Sequence, residues 1–63
     1  MRCGDLIDHA TFGRCHVERV DGDGEFAIVR LRNSRHVRLN LDVLDLRVVG
    51  EEEGHQVFGP RAR

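Results

Sequence analysis

Basic side chains crowd one short stretch of this sequence: Arg30, Arg32, Arg35, His36 and Arg38, with no acidic residue anywhere from Phe26 to Leu41. Guanidinium groups gathered on one surface suit phosphate oxygens or carboxylates, which they hold in a planar, often bidentate fork. On adjacent strands Arg30, Arg32, His36 and Arg38 would share the outward face and form a compact positive patch for a partner or a phosphate. The plainer reading is a solvated face in which these arginines pair with Glu18, Glu25 and Asp45. The chain has three Phe and no Tyr or Trp. Stacked bases would find few platforms, and a methyl-lysine cage few walls.

Other residues invite chemistry that their spacing does not support. Cys3, His9, Cys15 and His16 are soft metal ligands, but structural zinc sites gather their ligands in close pairs, and none of that spacing is present. No metal and no cofactor is expected. Cys15 beside His16 suggests a thiol and imidazole couple, yet neighbours on a strand point to opposite faces, so no nucleophilic site follows and no enzyme is expected. Asp21 and Asp23 alternate with glycines without the remainder of a calcium-loop pattern, and read as turn residues. His9 fits a turn in which its ring hydrogen-bonds the backbone, and Cys15 fits as a small buried apolar residue.

The bounds on the molecule follow from its size and composition. A chain of 63 residues holds one small core, since a domain of about 60 residues buries only ~60% of its unfolded surface. The composition is 40% hydrophobic and 33% charged with a net charge of -1, which describes a globular domain and points to no partner by charge alone. All ten basic residues are arginine. Two cysteines are too few for the disulfide framework of a small secreted domain, the start lacks the apolar segment of a signal peptide, and no apolar run approaches the ~18 residues of a membrane span. A cytoplasmic protein with reduced thiols and no membrane contact is expected.

Alternation predicts strands. Asp5 to His9 reads as a short strand. From Arg14 to Val20, Cys15 and Val17 face one way and His16 and Glu18 the other, with Val20 out of phase, which a bulge near Glu18 and Arg19 would correct. Asp21-Gly22-Asp23-Gly24 is a turn between antiparallel strands. Glu25 to Arg32 follows with Ala27, Val29 and Leu31 inward, then a turn at Asn33-Ser34, then a strand with Val37, Leu39 and Leu41 inward. Leu41 to Leu44 fits a single 3₁₀ turn before a last strand, Asp45 to Val49. After Gly50 the run Glu51-Glu52-Glu53-Gly54 marks residues 51–63 as a polar tail or linker. The sharper reading is that Val57 and Phe58 dock on a partner or on the fold's own open edge.

The run Gly4-x-x-Ile7-x-His9-x-x-Phe12-Gly13-x-Cys15-x-Val17, followed by Gly22 or Gly24 and an alternating strand, resembles the Tudor-like SH3 barrel at the C-terminus of UvrD/PcrA-type DNA helicases. It is more distantly similar to the RNA-polymerase-interacting domain of CarD-type transcription factors and of transcription-repair coupling factors. The resemblance spans Gly4 to about Val49, with Cys15 standing where the family has its second glycine. The helicase itself is excluded, since the chain has no Walker-type loop and no room for an ATPase fold. What the resemblance implies is an adaptor that binds RNA polymerase, other proteins or nucleic acid and catalyses nothing. The expectation is therefore an all-β, five-stranded SH3-like barrel over residues 1–50 in a bacterial cytoplasm. Its partner is expected to be a protein of the transcription or DNA-repair machinery. The alternatives are sequence-nonspecific binding of nucleic-acid backbone by the arginine face, or a self-associating subunit of a larger assembly, because small barrels leave exposed strand edges.

Overall fold

Strand formation follows the alternation almost throughout. The computed structural model describes residues 1–60 of the chain. It contains β1 (Leu6–His9), β2 (Gly13–Asp21), β3 (Phe26–Arg30), β4 (His36–Asn40), β5 (Leu46–Glu52) and β6 (His55–Pro60), with a 3₁₀ turn at Gly22–Gly24. The six strands form one sheet in the order β4-β3-β2-β1-β6-β5. Neighbours are antiparallel except β1 and β6, which run parallel. A flat sheet would be thin in one direction, whereas the principal extents are 27 × 24 × 23 Å, so this one is strongly curled.

Register explains the core. Ile7 lies opposite Cys15, Val17 opposite Val29, and Ala27 opposite Leu39, so one face of four strands carries a continuous apolar row. These six residues are all buried, with Val20, Leu31, Val37 and Phe58 among those packed around them. The pairing of β2 with β3 slips between Val17 and Arg19. The slip makes Glu18 the extra residue of a bulge and returns Val20 to the core side, as the phase of the sequence requires. At the first corner His9 Nδ1 accepts the backbone N–H groups of Thr11 at 3.0 Å and Phe12 at 3.2 Å, the backbone-bonding role expected of it.

Several expectations are corrected. The sheet has six strands rather than five, and among the described residues β4 and β5 remain its two edges, so it does not close into a barrel. The 3₁₀ turn lies at Gly22–Gly24, where Glu25 N–H bonds Gly22 O at 3.0 Å. Leu41 to Leu44 instead forms a turn in which Leu44 N–H reaches back to Asn40 O at 3.1 Å. The largest correction concerns the expected tail. Glu51 and Glu52 complete β5, and residues 55–60 form β6, so the domain boundary at residue 50 does not hold within the sheet. Glu53 (φ 50°) and Gly54 (φ 81°) supply the two positive φ values of a tight hairpin turn. Val57 and Phe58 then pair with Leu6 and Ile7, which is docking on the fold's own open edge. The remainder of the expected tail, residues 61–63, lies outside the described residues.

Asp5 secures this return of the chain. It is 4% exposed. Its Oδ2 accepts Arg2 N–H at 2.8 Å and its Oδ1 accepts Gln56 N–H at 3.1 Å, while its backbone oxygen accepts Val17 N–H at 2.9 Å. Burial alone would raise the pKa of the Asp5 carboxyl; the N–H groups of Arg2 and Gln56, helped by the charge of His55, outweigh it and hold the carboxyl below its ordinary range. Gly4 beside it has φ +96°, a conformation that favours glycine, and a Cβ there would lie 2.5 Å from the His55 ring as it stands and force that side chain to move.

Asp8, hydrogen-bonded by Arg14, is likewise lowered. As pH falls, the unfolded chain therefore takes up protons before these two folded carboxyls do. The stability they contribute is complete above the unfolded pKa, about 4, and is lost as pH falls further through the folded values. Urea-unfolding midpoints should fall between pH 5 and pH 3, and fall less in Asp5→Asn. Asp5→Ala, which removes the acceptor of two part-buried N–H groups, should cost about 1–2 kcal/mol at neutral pH in the same measurement. A chain ending at Gly54 should lose cooperative unfolding altogether, since β1 would lose its parallel partner.

Candidate functional site

The outward face of β2, β3 and β4 is assembled by the same register that builds the core. Its rows are His16, Arg30 and His36; then Arg19, Ile28 and Arg38; then Asp21, Phe26 and Asn40. The bulge turns both Glu18 and Arg19 toward this face, which strict alternation would not allow. Glu18 becomes its hub: Oε1 accepts His36 Nε2–H at 2.7 Å, and Oε2 lies 3.7 Å from an Arg30 guanidinium nitrogen. Arg38 lays its guanidinium over the Phe26 ring, 3.9 Å from the centroid, and Arg19 pairs with Asp21 at 3.1 Å. All of these charged groups are substantially exposed, so each ion pair is worth no more than about 1 kcal/mol and chiefly orients the side chains.

Of the four residues expected to share this face, the structure brings together Arg30, His36 and Arg38. Arg32 sits in the turn that joins β3 to β4. That turn is closed by Leu31 N–H to Arg35 O at 2.7 Å and Ser34 N–H to Leu31 O at 3.0 Å, with Asn33 Oδ1 accepting Arg35 N–H at 3.1 Å. It presents Arg32 and Arg35 to solvent at the tip of the hairpin. The pairing with acids is thus partly realised, through Glu18; Glu25 makes no ion pair among the described residues. Glu18 was among the acids the sequence offered to these arginines, and the phase slip beside it located the bulge, whereas the stacking of Arg38 on Phe26 left no signal in the sequence.

The remaining candidates separate. Cys15 is fully buried in the core while its neighbour His16 is exposed, so thiol and imidazole lie on opposite faces of β2. Burial, with the nearby negative charge of Asp8, pushes the Cys15 thiol up and disfavours the thiolate. Among the described residues no three His, Cys, Asp or Glu side chains are grouped to hold a metal ion. On the same outward face as His16, toward β1, Arg14 clamps Asp8, at 2.8 Å and 3.2 Å, and also bonds Glu52, joining β2, β1 and β5. Asp8 and Glu52 raise the Arg14 pKa, so the guanidinium stays charged. A surface hollow of about 410 Å³ lies by Asp5, Glu51 and His55, away from the arginine face.

No family model, curated protein or solved structure matches the chain. What the arginine face can do follows from its charges and its place beside a free strand edge. It offers two oriented guanidinium groups and an imidazole on a surface and two more guanidinium groups at a hairpin tip, a layout suited to carboxylates or phosphates.

Glu18 is the one counter-charge shared by Arg30 and His36, so Glu18→Gln should make this face more basic without disturbing the core. The variant should elute from a heparin column at higher salt than the parent chain, and Arg30→Gln at lower salt. Identical elution of all three would place the anion-attracting surface elsewhere.

Proposed function

We propose that the chain is a non-enzymatic adaptor that binds an acidic protein surface through the β3–β4 hairpin. One observation carries this reading: among the described residues β4 is an edge strand with no partner on its outer side, its outward face carries His36 and Arg38 with Arg30 beside them on β3, and Arg32 and Arg35 stand at its hairpin tip. An edge supplies main-chain hydrogen bonds to an incoming extended segment, and flanking charge selects which segment. The bulge at Glu18 and the Phe26 ring support the same reading, because they hold Arg30, His36 and Arg38 in fixed directions before a partner arrives.

The curled sheet is read as an open relative of the SH3-like, Tudor-like architecture, with β6 added along β1. On that reading, and on the resemblance of Gly4 to Val49 to helicase-linked and CarD-type domains, the partner belongs to the transcription or DNA-repair machinery, with RNA polymerase as first candidate. Nucleic-acid backbone is the competing ligand. Phosphates would use the same side chains but not the main-chain edge of β4, which an extended protein segment can use as well.

Tagged protein incubated with lysate at two salt concentrations, with and without nuclease, separates the two. Capture of a protein partner that survives nuclease, and that falls at least about tenfold in an Arg32→Glu, Arg35→Glu double variant, is the expected result. Capture that vanishes with nuclease, with a log-log salt slope near -0.9 per phosphate contact, would overturn the adaptor reading in favour of nucleic acid.

A further inference from the structure

Which main-chain groups β4 turns to its open side follows from the hydrogen bonds at the two ends of its pairing with β3. Leu31 N–H donates to Arg35 O at 2.7 Å, and Leu41 N–H donates to Glu25 O at 2.7 Å. Between these bonds the register is unbroken, with Val29 opposite Val37 and Ala27 opposite Leu39. In an antiparallel pair, residues that exchange main-chain bonds alternate with residues that do not. Arg35, Val37, Leu39 and Leu41 therefore turn their N–H and C=O groups toward β3, and His36, Arg38 and Asn40 turn theirs outward. The outward C=O of Asn40 accepts Leu44 N–H at 3.1 Å, a bond that agrees with this phase and ends the open run. What remains without a strand partner among the described residues is the main chain of His36 and Arg38 and the N–H of Asn40.

The side chains of β4 sort by the same alternation. His36 and Arg38 stand on the outward face, where Glu18 holds the imidazole and the Phe26 ring holds the guanidinium. Val37 and Leu39 point to the core side. Leu39 is buried, whereas Val37 and its neighbours Leu31 and Leu41 are only half-buried, so the core thins out along this edge. A strand added here meets basic side chains on one of its faces and uncovered aliphatic surface on the other. Its main-chain bonds go to the same two residues that carry the basic side chains.

The geometry points to one class of occupant for β4: an extended segment of a partner protein in which acidic and aliphatic residues alternate, paired antiparallel, the more stable direction per residue. The inference rests on the adaptor reading above and gives the partner's sequence pattern. Two acids lie directly opposite His36 and Arg38 and exchange main-chain bonds with them. The aliphatic residue between them lies opposite Val37, with its side chain toward the core and its N–H turned away from β4. A slip of one residue would set acids beside Val37 and aliphatic side chains beside the basic ones, so the pattern fixes the register. A run of consecutive acids lacks this match, because every second carboxylate would face the apolar core margin.

Isotopically labelled full chain, titrated with the capped peptide Gly-Glu-Val-Glu-Val-Glu-Gly and followed by its amide resonances, tests the pattern. The His36 and Arg38 amides should shift most, since their N–H groups gain acceptors, while those of Val37 and Leu39, already bonded to β3, should move less. The isomer Gly-Glu-Glu-Glu-Val-Val-Gly has the same composition and charge and should bind at least about tenfold more weakly. N-methylation of the alternating peptide at its Glu residues should abolish binding, and at its Val residues should preserve it. Equal binding of the two isomers, shifts confined to the turn of Arg32 and Arg35, or loss of binding on methylation at Val would each overturn the alternating antiparallel pairing and leave the adaptor reading in place. If neither peptide moves a resonance of β3, β4 or their turn, the acidic-partner reading falls with it.

Discussion

Asp5 is the constraint on which the arrangement of this small sheet depends. A carboxylate is costly to bury unless hydrogen bonds replace its water, and here the donors come from two distant parts of the chain, Arg2 and Gln56. The backbone of the same residue bonds Val17 of β2. One residue thereby anchors the entry to β1, its antiparallel neighbour β2 and its parallel neighbour β6. Gly4 completes the joint, since its positive φ and missing side chain leave room for the His55 ring. Without that joint, β1 would be an edge and Ile7, fully buried at the centre of the core, would lose the pairing that covers it on one side.

Curling then distributes the roles of the surface. One face of the sheet is used up by the core, so the outward face of β2 to β4 holds oriented charge. The two terminal strands hold the unsatisfied backbone. They are not alike: β4 is regular and basic, while β5 is bulged, apolar in the middle and charged with opposite signs at its ends. A domain this small has little interior in which to place chemistry. Its candidate sites are edges and charged faces, where affinity comes from main-chain bonding and charge complementarity rather than from an enclosed cavity.

Bulges connect these features. At Glu18 one extra residue restores Val20 to the core and turns a carboxylate toward Arg30 and His36. At Val49 a second extra residue leaves a valine packed over Gly59 and half exposed at the edge. Each bulge thus adjusts the interior and, by the same step, sets what the exterior displays.

Local signals made much of this legible. The alternation of Cys15 with Val17, Ala27 with Val29, and Val37 with Leu39 identified the core-facing sides of three strands, because a strand places every second residue on one face. The phase slip at Val20 located the first bulge, and Asp-Gly and Asn-Ser located two turns, because those residues tolerate the backbone angles that turns require. His9 was readable as a turn residue for the same reason. Basic residues on β3 and β4 were visible, but not that Arg32 leaves the strand or that Arg38 stacks on Phe26.

What escaped the sequence depends on contacts between distant residues. β6 has only Val57 and Phe58 to advertise it, beside a glutamate run, a glycine and a proline, and its stability comes from pairing with a strand whose anchor lies 51 residues earlier. Glu18 became a hub only once β3 and β4 were laid beside β2 in a given register. Strand periods, turns and the sign of the surface charge were determined by the chain itself, since they rest on local sterics and solvation. Strand count, the open edges and the partners of each charge were decided by tertiary pairing, because backbone hydrogen bonds join any extended segments that the curl of the sheet brings together.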